Sequence, residues 1–185
     1  MLAPDAPEKI RHWAGRKLTG LRLFTAGSTM PNQADWIDDP RSFPAWQCAS
    51  DLGIPICMQM TAKAIPQVVH MIERFPKNRI ILDHLARPTL EDGPPYAAAT
   101  DLFGLAKYPN LYLKLTPRTF GEARKGKATP ESFFPLLVSK FGAQRLAWGY
   151  SERHTLTLRR RPCFGSAFRS VGWLQRLLLD GRSRP

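Results

Sequence analysis

The chain is constrained most by a recurrence. Short apolar runs at residues 20–24, 54–60, 79–84, 110–116 and 145–149 each have strand length. Between them lie segments of helical periodicity at 42–52, 64–75, 95–107 and 130–141. Gly53, Pro76, Pro109 and Gly142 close these helices, and a strand begins one to three residues after each. Thr129 is a good N-cap, with Pro130 at the first helical position and Glu131 in the first turn. Strands that alternate with helices belong in a parallel sheet with right-handed crossovers. Their near-continuous apolar character predicts burial on both faces.

A doubly wound sheet and a (β/α) barrel both fit this alternation. No glycine-rich phosphate loop follows any strand, so the dinucleotide fold loses its strongest support. Polar side chains instead collect toward strand C-termini: Arg22, Gln59, His84, Lys114 and Thr116. That placement favours the face on which barrels carry chemistry. A full barrel takes eight units and about 250 residues. The expectation is α/β, a partial (β/α)8 TIM-barrel-like parallel sheet of about five βα units.

Five motifs in order extend this reading. They are Gly20-Leu-Arg22, Leu52-Gly-Ile-Pro-Ile56, Ile81-Leu-Asp-His-Leu-Ala-Arg-Pro88, Asn110-Leu-Tyr-Leu-Lys114 and Arg145-Leu-Ala-Trp-Gly149. Together they resemble the amidohydrolase-related family, in the branch of sugar-lactone and pyrone-dicarboxylate lactonases and related decarboxylases. The resemblance implies a distorted (β/α)8 barrel in which these strands are the fourth to eighth. It implies a hydrolase acting on a small lactone or related carboxylate-bearing ring compound. In metal-dependent members a first-strand His-x-His pair, a later strand-end histidine and a last-strand aspartate hold a divalent metal of zinc type, while some lactonases of the branch work without one.

The sequence departs from that pattern twice. No His-x-His occurs; the histidines are His12, His70, His84 and His154. An N-terminally truncated chain is therefore expected. After Trp148-Gly149 the family's Asp or Asn position corresponds to Ser151. Residues 150–185 then hold eight arginines, no lysine and two acids. The division expected is a barrel part at 1–149 and a divergent Arg-rich tail at 150–185, read out of frame, with a short helix at 171–179. An impaired fragment of the parent enzyme is the corresponding functional expectation.

Residue by residue, His84 is the candidate catalytic group. It stands as the metal ligand if a metal is bound, or as an electrophile that polarises a carbonyl. Arg22, Gln59 and Lys114 are the candidate substrate-binding residues. A guanidinium inside an apolar strand needs an anion, which a substrate carboxylate or an internal ion pair could supply equally. Asp83 alternates with His84, so it is expected to face the helices in a structural role. Arg87 and Arg118 follow their strands in loops, where arginines are usually solvated. Trp148 is expected in the barrel core.

The net charge of +12 raises a rival, a non-catalytic basic module binding nucleic acid or another polyanion. Half of that charge sits in the tail and no recognition motif surrounds it, so nucleic acid is disfavoured. Cys48, Cys57 and Cys163 are widely spaced and suggest neither disulfides nor a metal knuckle. No apolar run is long enough for a membrane span. The N-terminus lacks the basic-then-apolar order of a signal peptide, so a cytoplasmic protein with a small-molecule substrate is expected.

Overall fold

The structure is a computed structural model that describes residues 1–29, 33 and 35–149. The expectations for the tail, including Ser151 and the helix at 171–179, lie outside the described residues.

Five strands form one sheet: β1 (Leu21–Phe24), β2 (Ile56–Gln59), β3 (Ile80–Asp83), β4 (Leu111–Leu115) and β5 (Leu146–Trp148). Every neighbouring pair is parallel, and the spatial order is the sequence order, β1-β2-β3-β4-β5. A doubly wound sheet reverses its strand order at a switch point. None occurs among these strands, so the winding is that of a barrel.

Alternation along each strand sorts the side chains. Ile56, Met58, Ile80, Leu82, Leu111, Leu113 and Leu115 are wholly buried. They join a single core with Trp46, Val68, Met71, Phe133 and Leu137 from the helices. Arg22, Cys57, Gln59, Asp83 and Lys114 occupy the alternate positions and share the opposite face.

The helices are α1 (Ala6–Ala14), α2 (Phe43–Asp51), α3 (Ile65–Arg74), α4 (Thr100–Gly104), α5 (Pro117–Glu122) and α6 (Pro130–Phe141). α3 starts with proline in its first turn and buries Ile65, Val68, Met71 and Ile72. α6 begins where expected: Ser132 N donates to the Thr129 side chain, and Gly142 ends it at φ 74°. Two helical assignments change. Residues 95–107 hold only the short α4 between 3-10 turns, because Tyr96 is left-handed at φ 62° and delays the start. Residues 117–128, expected as a loop, contain α5. Trp148 is partly exposed and meets Phe120 edge-on, with ring centroids 5.6 Å apart, where core burial was expected.

Candidate functional site

The register puts Asp83 beside Lys114 and Phe24 beside Gln59. Asp83 is 0% exposed, yet it carries the densest charge contacts on this face. Arg22 donates to Asp83 Oδ2 through Nη2 at 2.6 Å and Nε at 3.1 Å. Lys114 Nζ lies 2.8 Å from Oδ1. Arg22 Nη2 also donates to Gln59 Oε1 at 2.8 Å. The three residues expected to bind substrate are thus brought together, around an aspartate expected to point the other way. Asp83 is paired with two cations of the protein, and it faces away from the helix layer.

The reason lies one residue later. β3 ends at Asp83, and His84, Leu85, Ala86 and Arg87 all have positive φ: 53°, 57°, 59° and 53°. The chain makes a left-handed turn, closed by Arg87 N donating to His84 O at 2.9 Å. Alternation of faces holds only while the backbone is extended, so His84 does not stand opposite Asp83. Non-glycine residues in this region cost about 1–2 kcal/mol each, and such strain clusters at functional sites.

The turn delivers His84 and Arg87 to a narrow cleft completed by Pro88, Leu90, Arg118, Thr119 and Glu122. Its volume is about 10 Å3, room for one water-sized group. His84 Nδ1 is 2.7 Å from Thr116 Oγ1. Arg87 Nε is buried and has no hydrogen-bond partner among the described residues. Arg118 comes from the first turn of α5, a helix that places Glu122 4.0 Å from its Nε. Arg87 and Arg118 were passed over as loop arginines. The sequence signal that would have found α5 is Thr116-Pro117, the same cap-and-proline pair read correctly at Thr129-Pro130.

Burial, with help from Arg87, Lys114 and Arg118, pushes the His84 pKa below its usual value, against the pull of Asp83. The ring is therefore neutral at pH 7. Burial and then the neighbouring Arg118 also lower the pKa of Arg87. Burial alone would raise the Asp83 pKa, but Lys114 and Arg22 outweigh it and hold the carboxyl below its ordinary value. Burial, reinforced by Asp83, drives the Cys57 thiol up to about 12, so it is no nucleophile at neutral pH.

These residues do not fit a divalent cation. Among the described residues no three His, Cys, Asp or Glu side chains gather as ligands. The strand-end carboxylate is already neutralised by two cations, and His84 is flanked by two arginines. The donor set suits an anion.

A model of the amidohydrolase family matches residues 2–149. The chain belongs to the amidohydrolase family. Over 147 residues it is 30% identical to the L-fucono-1,5-lactonase of Burkholderia ambifaria, a match covering 78% of this chain and 50% of that protein. This amidohydrolase chain thus spans half the length of that curated relative. A zinc-bound amidohydrolase from Burkholderia multivorans superposes with a TM-score of 0.64 at 20% identity, covering 82% of this chain and 56% of the other. A putative 2-pyrone-4,6-dicarboxylic acid hydrolase from Pseudomonas putida gives 0.61 at 19% identity, over 96% and 61%. Both structural likenesses concern the fold, a TIM-barrel-like α/β architecture. No helix among the described residues is long and apolar enough to cross a membrane.

Proposed function

We propose that this chain forms the substrate-holding strand-end part of a hydrolase acting on a small lactone or related carboxylate-bearing ring compound. The observation that carries the reading is the cleft of His84, Arg87 and Arg118, where a buried Arg87 Nε has no partner. A buried donor left unsatisfied is costly, and a ligand oxygen would satisfy it. The lactonase relative supports the substrate class.

His84 Nδ1 is 2.7 Å from Thr116 Oγ1; in this reading the hydroxyl donates to Nδ1, and the His84 proton is then on Nε2. Nε2 then donates to the lactone carbonyl oxygen and stabilises the charge that develops there as water attacks. Arg87 and Arg118 hold a carboxylate of the substrate. A general base must take the proton from the attacking water; the family pattern puts an acid after the last strand, at the position of Ser151. Binding without appreciable turnover is therefore expected of this chain alone. In the same reading residues 1–149 are the barrel unit, 150–185 a divergent tail, and the cytoplasm the compartment.

The test is an NMR titration with L-fuconate, the open acid of the relative's lactone, against neutral L-fucose. Fuconate should shift the Arg87 and Arg118 side-chain Nε signals, fucose should not, and His84→Ala should weaken the response. Equal responses to both sugars, or none to fuconate, would overturn the assignment.

A further inference from the structure

Two cationic groups lie at the strand ends, and they differ in one respect. In the cleft, His84, Arg87 and Arg118 face a space that Glu122 also lines. Glu122 lies 2.9 Å from Lys125 Nζ but 4.0 Å from Arg118 Nε, and Arg87 Nε has no hydrogen-bond partner among the described residues. On the sheet face, Arg22 and Lys114 converge on a carboxylate that belongs to the protein. The Arg22 side chain is 47% exposed and that of Lys114 26%, while Asp83 is 0% exposed. The cations are reachable from solvent; their anion is not. Arg22 is further committed through Nη2, which also donates to Gln59 Oε1.

We propose that Asp83 is a built-in carboxylate that fills an anion site formed by Arg22 and Lys114, and so leaves the strand-end site room for one external anionic group. Both Asp83 oxygens face cations: Oδ2 accepts hydrogen bonds from two Arg22 nitrogens, while Oδ1 is ion-paired with the Lys114 ammonium at 2.8 Å without a hydrogen bond of good geometry. An incoming carboxylate would have to displace an ionised group whose backbone is fixed in β3. Lys114 is held to the same task by packing, since a Cβ on Gly149 would stand 2.0 Å from Lys114 Cε. The consequence is specificity. One carboxylate oxygen of a substrate can enter the cleft beside Arg87 and Arg118, whereas a second carboxylate directed at Arg22 and Lys114 meets Asp83 and is repelled. For the identity of the substrate this inference rests on the lactone reading, but its test needs binding alone.

The probe is inorganic phosphate, titrated into the full 185-residue chain with side-chain nitrogen shifts and calorimetry as readouts. In the wild type, phosphate should move the Arg118 Nε signal and leave Arg22 Nε in place. Asp83→Asn should bind phosphate at least roughly tenfold more tightly, the scale of one added charge-assisted hydrogen bond, with Arg22 Nε now responding. Adding Lys114→Met to that variant should return the affinity to the wild-type level. A phosphate-induced shift of Arg22 in the wild type would overturn the proposal even if Asp83→Asn fails to fold. So would an unchanged affinity in folded Asp83→Asn, or a gain that survives Lys114→Met. Fuconate binding at the cleft is read out separately, so either proposal can fail without the other.

Discussion

Gly149→Ala isolates how tightly the Lys114–Asp83 contact is built. Gly149 is fixed to the sheet by its amide donating to Leu115 O at 2.8 Å. A methyl there would lie 2.0 Å from Lys114 Cε, 2.9 Å from Cδ and 3.0 Å from Cγ. No adjustment of tenths of an ångström absorbs 2.0 Å, so the flexible end of the lysine has to move, and the expected outcome is that it gives up Asp83 Oδ1. Gly149 is absent from the positive-φ glycines, so alanine suits its backbone. Losing a contact to a charged group costs about 1.5–3 kcal/mol. Stiffening the unfolded chain returns about 0.4–1 kcal/mol. The net expectation is a loss of about 1–2 kcal/mol, measured by urea unfolding. In a Lys114→Met background the contact is already gone and the flexible methionine can yield. There the same substitution should be neutral or mildly stabilising. Equal destabilisation in both backgrounds would refute the argument, because Gly149 would then be needed for something other than the course of Lys114.

Two further expectations concern pH. His84 has a folded pKa below its ordinary value of 6.5. The unfolded chain therefore binds more protons in that window, stability rises with pH there, and it is lost as pH falls through the folded value. Urea midpoints measured from pH 5 to 7 should show this slope, and His84→Gln should flatten it; an unchanged slope would exclude His84 as its source. Cys57 has the opposite sign. Its folded value of about 12 stands above the reference of 9.0, so its contribution is complete below pH 9 and is lost as pH rises toward 12. Full titration is worth about 4 kcal/mol. Cys57→Ala should remove that part of the alkaline destabilisation, and equal alkaline slopes in variant and parent would refute it.

The strands were legible because burial on both sides of a parallel sheet leaves an uninterrupted apolar signature, and β2 to β5 are each entered from a glycine or proline that ends the preceding helix. Helix starts were legible where Thr-Pro marks them. The same pair at Thr116-Pro117 was masked by the glycines and basic residues that follow, which read as loop. Gln59, Lys114 and Arg22 could be placed on one face by counting in twos, since β1, β2 and β4 stay extended over those residues. The direction of Asp83 could not. Its assignment depended on His84 being the next residue of a strand, and nothing in His-Leu-Ala-Arg announces four left-handed residues. Glycine is the usual signal for that conformation, and none is present. Arg87 was undervalued for the same reason, because its burial follows from the turn and not from its neighbours in sequence.

That turn also explains how the site can hold its geometry. Four non-glycine residues in the left-handed region represent a cost of about 4–8 kcal/mol if each contributes the usual amount. Leu85 and Ala86, in the middle, are both wholly buried. Burying a leucine side chain stabilises by about 1.5–3 kcal/mol. The hydrogen bonds from Arg87 N to His84 O and between His84 and Thr116 each add about 0.5–1.5 kcal/mol. These terms offset much of the strain but leave no surplus. A sequence free to relax would place glycine at one of the four positions and lose little. Glycine would also loosen the segment, and His84 and Arg87 would no longer be held at fixed separation across one left-handed turn. The conformation is therefore best understood through what it positions. The buried leucine and alanine anchor the turn, and the two flanking residues, one neutral and one cationic, are presented together at the cleft.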